Sequence, residues 1–226
     1  MPLEDAANVK YISNSKKNIV FFNMHHIGTK SFYVDTKNKV DSLYKLGYTV
    51  YYELVSSDTN HSEGEFDTMV RMVRKISNID FKDKKKGGDD YLDSLNNTIM
   101  GHKTKLIKKY GLINQRNYFL LPVDSLKIRR VDANIFDMIT GYEKKYGKIQ
   151  LEKYDLLTDF GAKYKNKISR NKKDYFLLGY RNELIANTVI KDTATKIVLM
   201  YGAYHFDGIL DNLKAYDKTY KEVDKF

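Results

Sequence analysis

The chain has 226 residues, 42% of them hydrophobic, and a formal net charge of +10. That is enough for one large or two small cores. It contains no cysteine, so disulfides and thiolate metal sites are excluded, and any metal must be held by nitrogen and oxygen ligands. The charge is a lysine excess, with 32 Lys against 7 Arg spread along the chain. Specific readers of nucleic acid favour arginine, so this balance argues against a nucleic-acid partner.

The elements follow in chain order. The first seventeen residues, Met1 to Lys17, lack the apolar run of a signal peptide and are expected to be flexible. No stretch of eighteen apolar residues occurs, so no membrane-spanning helix is expected. A cytoplasmic location is the default expectation unless a targeting or anchoring segment has been removed. Ile19 to Met24 is a short apolar run that predicts a buried strand. Thr36 to Leu46 predicts a helix stopped at Gly47, and Thr49 to Val55 a second strand, together a βαβ unit that favours parallel pairing.

Glu65 to Ile76 carries Phe66, Met69, Val70, Val73 and Ile76 on one helical stripe. Lys82, Lys84, Lys85 and Lys86 beside Gly87 and Gly88 predict a solvated loop, and Tyr91 to Tyr110 a helix. Tyr118 to Val123 is ambiguous between strand and loop, because Pro122 limits a strand. Ile135 to Tyr146 predicts a helix ended by Gly147. Leu151 to Lys173, rich in Lys and Asn, has no legible pattern. Arg181 to Lys191 predicts a helix, Lys196 to Tyr201 a strand, Gly202 to Asp207 a turn, and Gly208 to Tyr216 a last helix. With no Pro- or Gly-rich linker, the expectation is a single α/β domain, its mostly parallel or mixed sheet flanked by helices.

Chemistry in such folds collects at the carboxyl ends of strands. The first strand runs into His25 and His26, the second carries Glu53, and the last runs into Gly202 and His205. If these strands are neighbours, two imidazoles and a carboxylate converge, a donor set that suits a divalent metal such as Mn, Zn, Co or Fe. Each histidine alone is more simply a satisfied polar residue. Glu53 weighs more, since it sits among Val50, Tyr51, Tyr52, Leu54 and Val55, and a buried carboxylate needs a partner. The bland alternative is a structural ion pair, for example to Arg181. Tyr33 and Tyr201 could line the site or simply pack in the core. His61 and His102 fall in polar contexts and read as surface residues. No zincin, phosphate-loop, dinucleotide or nucleophile-elbow motif is present.

Four blocks resemble the TraB/Tiki superfamily of metal-dependent hydrolases, which includes TraB/PrgY-like, erythromycin-esterase-like and ChaN-like branches. They are Ile19–Tyr33 (IVFFNMHHIGTKSFY), Gly47–Glu53 (GYTVYYE), Tyr180–Ala186 (YRNELIA) and Tyr201–Gly208 (YGAYHFDG), in the family's order. They cover the first sixty and last fifty residues or so; the middle, about Asn60 to Lys173, is unmatched and reads as variable and mostly helical. Asn23 stands where the first motif has glycine. The resemblance implies hydrolysis of a peptide or ester bond in a peptide or small-molecule substrate. It assigns His26, His205 and Glu53 to a metal, and Glu53 with Arg181 to catalysis. Tyr33, Tyr201 and Gly202 would contact substrate, together with His25, which has no counterpart in the motif and could also serve as an alternative ligand. A version without metal, in which a histidine–glutamate pair activates water directly, has the same residues. The alternative is a non-catalytic protein that binds haem or a peptide.

Overall fold

The apolar run after Lys17 forms a central strand, as its length and β-branched content require. In the computed structural model, residues 4–56, 62–78, 109–123, 126–160 and 162–225 are described. The chain opens with β1 (Val9–Ser13), β2 (Asn18–Met24), β3 (Ile27–Gly28), α1 (Lys30–Lys45), β4 (Thr49–Tyr52) and α2 (Glu63–Ser77). There follow β5 (Ile113–Asn114), α3 (Asn117–Leu120), β6 (Ile128–Arg130), α4 (Ile135–Tyr146), α5 (Lys153–Leu157) and α6 (Arg170–Asp174). A π-helical turn (Tyr175–Gly179) leads into α7 (Tyr180–Lys191). Then come β7 (Lys196–Gly202), a 3₁₀ turn (Ala203–His205), α8 (Phe206–Tyr216) and β8 (Lys221–Val223).

The protein is α/β, with a six-stranded mixed sheet in the order β6-β4-β7-β2-β1-β8. Strands β6, β4, β7 and β2 are parallel, whereas β1 runs antiparallel to both β2 and β8. The expected βαβ unit is present as β2–α1–β4, but β7 lies between its two strands. The carboxyl ends of β2, β7 and β4 therefore stand side by side, Met24 opposite Gly202 and Tyr52 opposite Met200. That is a reversal of strand order of the kind at which α/β proteins hold ligands.

Alternation along the strands sorts the core into two layers. Ile19, Phe21, Tyr51, Leu199 and Tyr201 pack with Ile185 and Val189 of α7 and Ile209 and Leu213 of α8. Val20, Phe22, Met24, Val50, Val198 and Met200 pack on the other face with Phe32, Tyr33 and Val40 of α1. The strands are apolar on both faces because both faces are covered.

By contacts the chain divides into two compact units. The first, with the sheet, takes Met1–Leu54, Lys103–Asp132 and Asn182–Phe226; the second takes Val55–His102 and Ala133–Arg181. Within the second unit, Met69, Val70, Val73 and Ile76 of α2 meet Ile135, Met138, Ile139 and Tyr142 of α4 and Phe176 of the π turn. Helix α2 starts at a capping box between Ser62 and Glu65, and α4 at Asn134, whose side chain accepts the Asp137 N–H.

The sequence expectation fails in instructive places. Residues 1–17 are not simply flexible, since Val9–Ser13 pairs residue by residue with β2. Its alternation is disguised by Lys10 and Tyr11, which are only half covered at this part of the sheet. Helix α1 begins at Lys30 rather than Thr36, because the Thr29 hydroxyl accepts the Phe32 N–H and caps it six residues earlier. Strand β4 ends at Tyr52, before Val55. The ambiguous Tyr118–Val123 stretch begins within the short helix α3, not in a strand. The illegible Leu151–Lys173 stretch contains α5 and most of α6. Most of the helix expected from Tyr91 to Tyr110, together with His61, His102 and the Lys82–Lys86 loop, lies outside the described residues.

Candidate functional site

Glu53 continues β4 by one residue. Its N–H bonds the Met200 carbonyl (3.1 Å), so it stands beside Tyr201 on the face that carries Tyr51 and Leu199. Its carbonyl accepts the Asn117 side-chain amide at 3.1 Å. The carboxylate is 13% exposed. Oε2 accepts the Gly202 N–H at 2.8 Å, and Oε1 lies 3.5 Å from Nε2 of His205. The latter distance is longer than a hydrogen bond of normal length.

His205 is buried in the 3₁₀ turn that joins β7 to α8. Its Nδ1 meets Oδ1 of Asn182, on α7, at 2.6 Å. An amide oxygen only accepts, so Nδ1 carries the hydrogen and Nε2 is turned to Glu53. In a neutral ring Nε2 and Oε1 are then both acceptors. A molecule that donates hydrogens to both can bridge them. Asn182 is itself buried, and Gly208 makes room for it. A Cβ at Gly208 would come within 2.1 Å of the Asn182 amide nitrogen. The edge of the Tyr201 ring abuts His205, 5.9 Å between centroids, and the Tyr201 hydroxyl is tied to the Val131 carbonyl.

Glu53, His205, Tyr201 and Gly202 are thus brought together, and Asn182 joins them. Asn182 had no assigned role in the sequence reading. The signal was present: it occupies the same helical stripe as Ile185, Ala186 and Val189, where a polar residue is out of place.

His26, His25 and Tyr33 are placed elsewhere. His26 is exposed in the bend that precedes β3, while its carbonyl accepts the Gln115 N–H. His25 lies 3.5 Å from Glu4 and rests on the Phe32 ring. Tyr33 belongs to the core layer on the opposite face of the sheet from Tyr201, where its hydroxyl donates to the His25 carbonyl at 2.6 Å. Burial pushes the Tyr33 hydroxyl well above the usual tyrosine range, so it stays protonated as that donor. Arg181 is buried in the second unit, where its guanidinium donates to the Leu177 carbonyl at 3.2 Å.

The donors do not fit the expected metal site. A catalytic divalent ion usually takes three protein ligands. Here an imidazole and a carboxylate converge, and among the described residues no group of three His, Asp or Glu is placed to hold a metal ion. Of the expected trio His26–Glu53–His205, the last two face each other at 3.5 Å, and His26 is exposed in the bend before β3. No family model, curated protein or solved structure matches the chain.

Proposed function

We propose that the protein is a hydrolase of peptide or ester bonds in which Glu53 and His205 activate water without a metal. The observation that carries this reading is the Glu53–His205–Asn182 line at adjoining strand ends. A carboxylate and an imidazole nitrogen face each other at 3.5 Å, and the far ring nitrogen is fixed by an amide oxygen.

The chemistry follows from the donors. A water set against Oε1 and Nε2 hydrogen-bonds to both. As its oxygen bonds to the scissile carbonyl carbon, its proton passes to the Glu53–His205 pair. The bond to the leaving nitrogen or oxygen then breaks, and the pair returns that proton to the leaving group. The Gly202 N–H holds Oε2, so Glu53 needs no rearrangement in either step. Asn182 keeps the hydrogen on Nδ1 and so leaves Nε2 to meet the water.

The test is hydrolysis of a fluorescence-quenched peptide library and of nitrophenyl esters by protein dialysed against a chelator, with and without added Mn²⁺ or Zn²⁺. Turnover that survives chelation and vanishes in Glu53→Gln supports the reading. Turnover that requires added metal overturns the metal-free mechanism. Tight peptide binding with no cleavage would instead support a peptide-binding protein.

A further inference from the structure

Asn23 is the third-strand counterpart of Glu53. It sits at the carboxyl end of β2, paired with Tyr201 in register. It alternates with Ile19 and Phe21, which lie in the same core layer as Tyr201 and Tyr51. Asn23, Tyr201 and Glu53 therefore occupy one row, on one face, at one edge of the sheet. The Asn23 N–H is used by the Asn8 carbonyl at 3.0 Å. Its side chain is a different matter. Asn23 is 7% exposed, and its Oδ1 is buried with no hydrogen-bond donor among the described residues.

A buried acceptor without a donor opposes folding, and an apolar side chain of similar size would avoid the penalty. The neighbours on this face, Ile19 and Phe21, show that the layer accepts apolar residues at this spacing. A polar group kept where it weakens the fold is the mark of a group kept for a ligand.

We infer that Asn23 Oδ1 is a specificity-determining acceptor that takes an N–H of a peptide substrate, and that the substrate is a peptide rather than a simple ester. This inference rests on the hydrolase reading above for the position of the scissile bond. The spacing suits it. Glu53 and Asn23 are two strands apart, ~10 Å at ~4.8 Å per strand. An extended peptide advances ~3.3–3.6 Å per residue, so the bonded N–H lies within about three residues of the scissile carbonyl. An ester of a small acid and alcohol does not reach.

The experiment uses the full chain, with Asn23→Leu and Asn23→Ala beside the unsubstituted protein. Thermal melts come first. Asn23→Leu is expected to melt at the same temperature or up to about 4 °C higher. A lower melting temperature for Leu with no loss for Ala would be overpacking. A loss of about 3 °C or more in both variants means that Oδ1 is satisfied within the fold, and overturns the inference. The second readout is a peptide from the cleaved set of the quenched library, with each backbone nitrogen methylated in turn. One N-methyl position is expected to raise KM about tenfold for unsubstituted protein and to have no effect in Asn23→Leu, a coupling that a purely structural residue does not show. Equal N-methyl sensitivity in both proteins overturns the inference. If no peptide or ester is cleaved, the hydrolase reading fails separately. Fluorescein-labelled peptides of the library sequences are then titrated by fluorescence polarisation. Binding weakened about tenfold in Asn23→Leu sustains the Asn23 assignment, and equal binding or none removes it.

Discussion

Two of the protein's carboxylates stand in very different company, the buried Asp155 in the second unit and the half-buried Glu53 in the first. The Asp155 side chain, 4% exposed, receives Lys75 at 2.6 Å, the Tyr164 hydroxyl, and the Glu152 N–H at 2.8 Å. Arg74, fully buried between the Phe160 and Tyr164 rings, donates to the carbonyls of Asp155, Thr158 and Asp159. Burial alone would raise the Asp155 carboxyl. The hydrogen bonds from Lys75, Tyr164 and Glu152 and the charge of Lys75 outweigh it, and hold the group below the ordinary carboxylate range. Glu53 accepts the Gly202 N–H on Oε2 and turns Oε1 toward Nε2 of His205, whose far ring nitrogen meets Asn182. Asp155 is set among a lysine, a tyrosine and a backbone amide within a helical unit. Glu53 stands at adjoining strand ends beside an imidazole, where the proposed hydrolysis would take place.

The strongest way to break this contrast is to neutralise Glu53. Glu53→Gln and His205→Ala are each expected to reduce hydrolysis by about 10²–10⁴-fold, the range for loss of a general base, while circular dichroism and urea midpoint change little. If either variant keeps full turnover, Glu53 is a structural carboxylate like Asp155.

Asp155 should behave in the opposite way. Asp155→Ala removes one partner of a buried, hydrogen-bonded pair, and is expected to cost about 3 kcal/mol in urea denaturation. Its folded pKa is depressed, so its contribution is fully present above the unfolded value of about 3.9 and is lost as pH falls through the lower folded value. The stability gap between the unsubstituted protein and Asp155→Asn should therefore be constant from about pH 5 to 7 and narrow below about pH 4. A gap that stays constant to pH 2 would show that Asp155 is not ionised in the fold.

A smaller effect separates orientation from chemistry. Asn182→Ala removes the acceptor that fixes the His205 tautomer, and an orienting partner of this kind is worth about 10–100-fold in activity. Gly208→Ala tests the same point from the other side, because its methyl group would enter the space of the Asn182 amide. Both should lower kcat more than they raise KM. An unchanged kcat in both would mean that Asn182 only packs.

The sequence exposed one side of this contrast and hid the other. Three strand ends carrying polar groups, and the Glu-in-apolar-strand signal at Glu53, were visible because apolar runs are local. The Asp155 cluster was not, because its partners stand about eighty residues away in α2, and its own stretch has no periodic pattern. The insertion of β7 between β2 and β4 is likewise a long-range pairing that no local pattern fixes. The exposure of His26 is hidden for a smaller reason. His25 and His26 fall between β2 and the two-residue β3, in a bend with no period to tell which of the two is exposed.

That last point yields the smallest predicted effect and the cleanest control. His26 is exposed, and its backbone carbonyl, not its ring, is engaged in the β3–β5 pairing. Replacing the ring leaves that hydrogen bond in place. His26→Ala is therefore expected to keep activity within about twofold and stability within about 0.5 kcal/mol, as for exposed side chains in general. The comparison with His205→Ala is the informative one, since both are histidines two or three residues past neighbouring parallel strands. If His26→Ala falls as far as His205→Ala, the ring turns inward when substrate binds, and a three-donor site becomes tenable again. If it does not, the two motif-like histidines have different tasks. One is a surface residue at a chain turn, and the other holds its proton on Nδ1 so that its opposite nitrogen can meet a water beside Glu53.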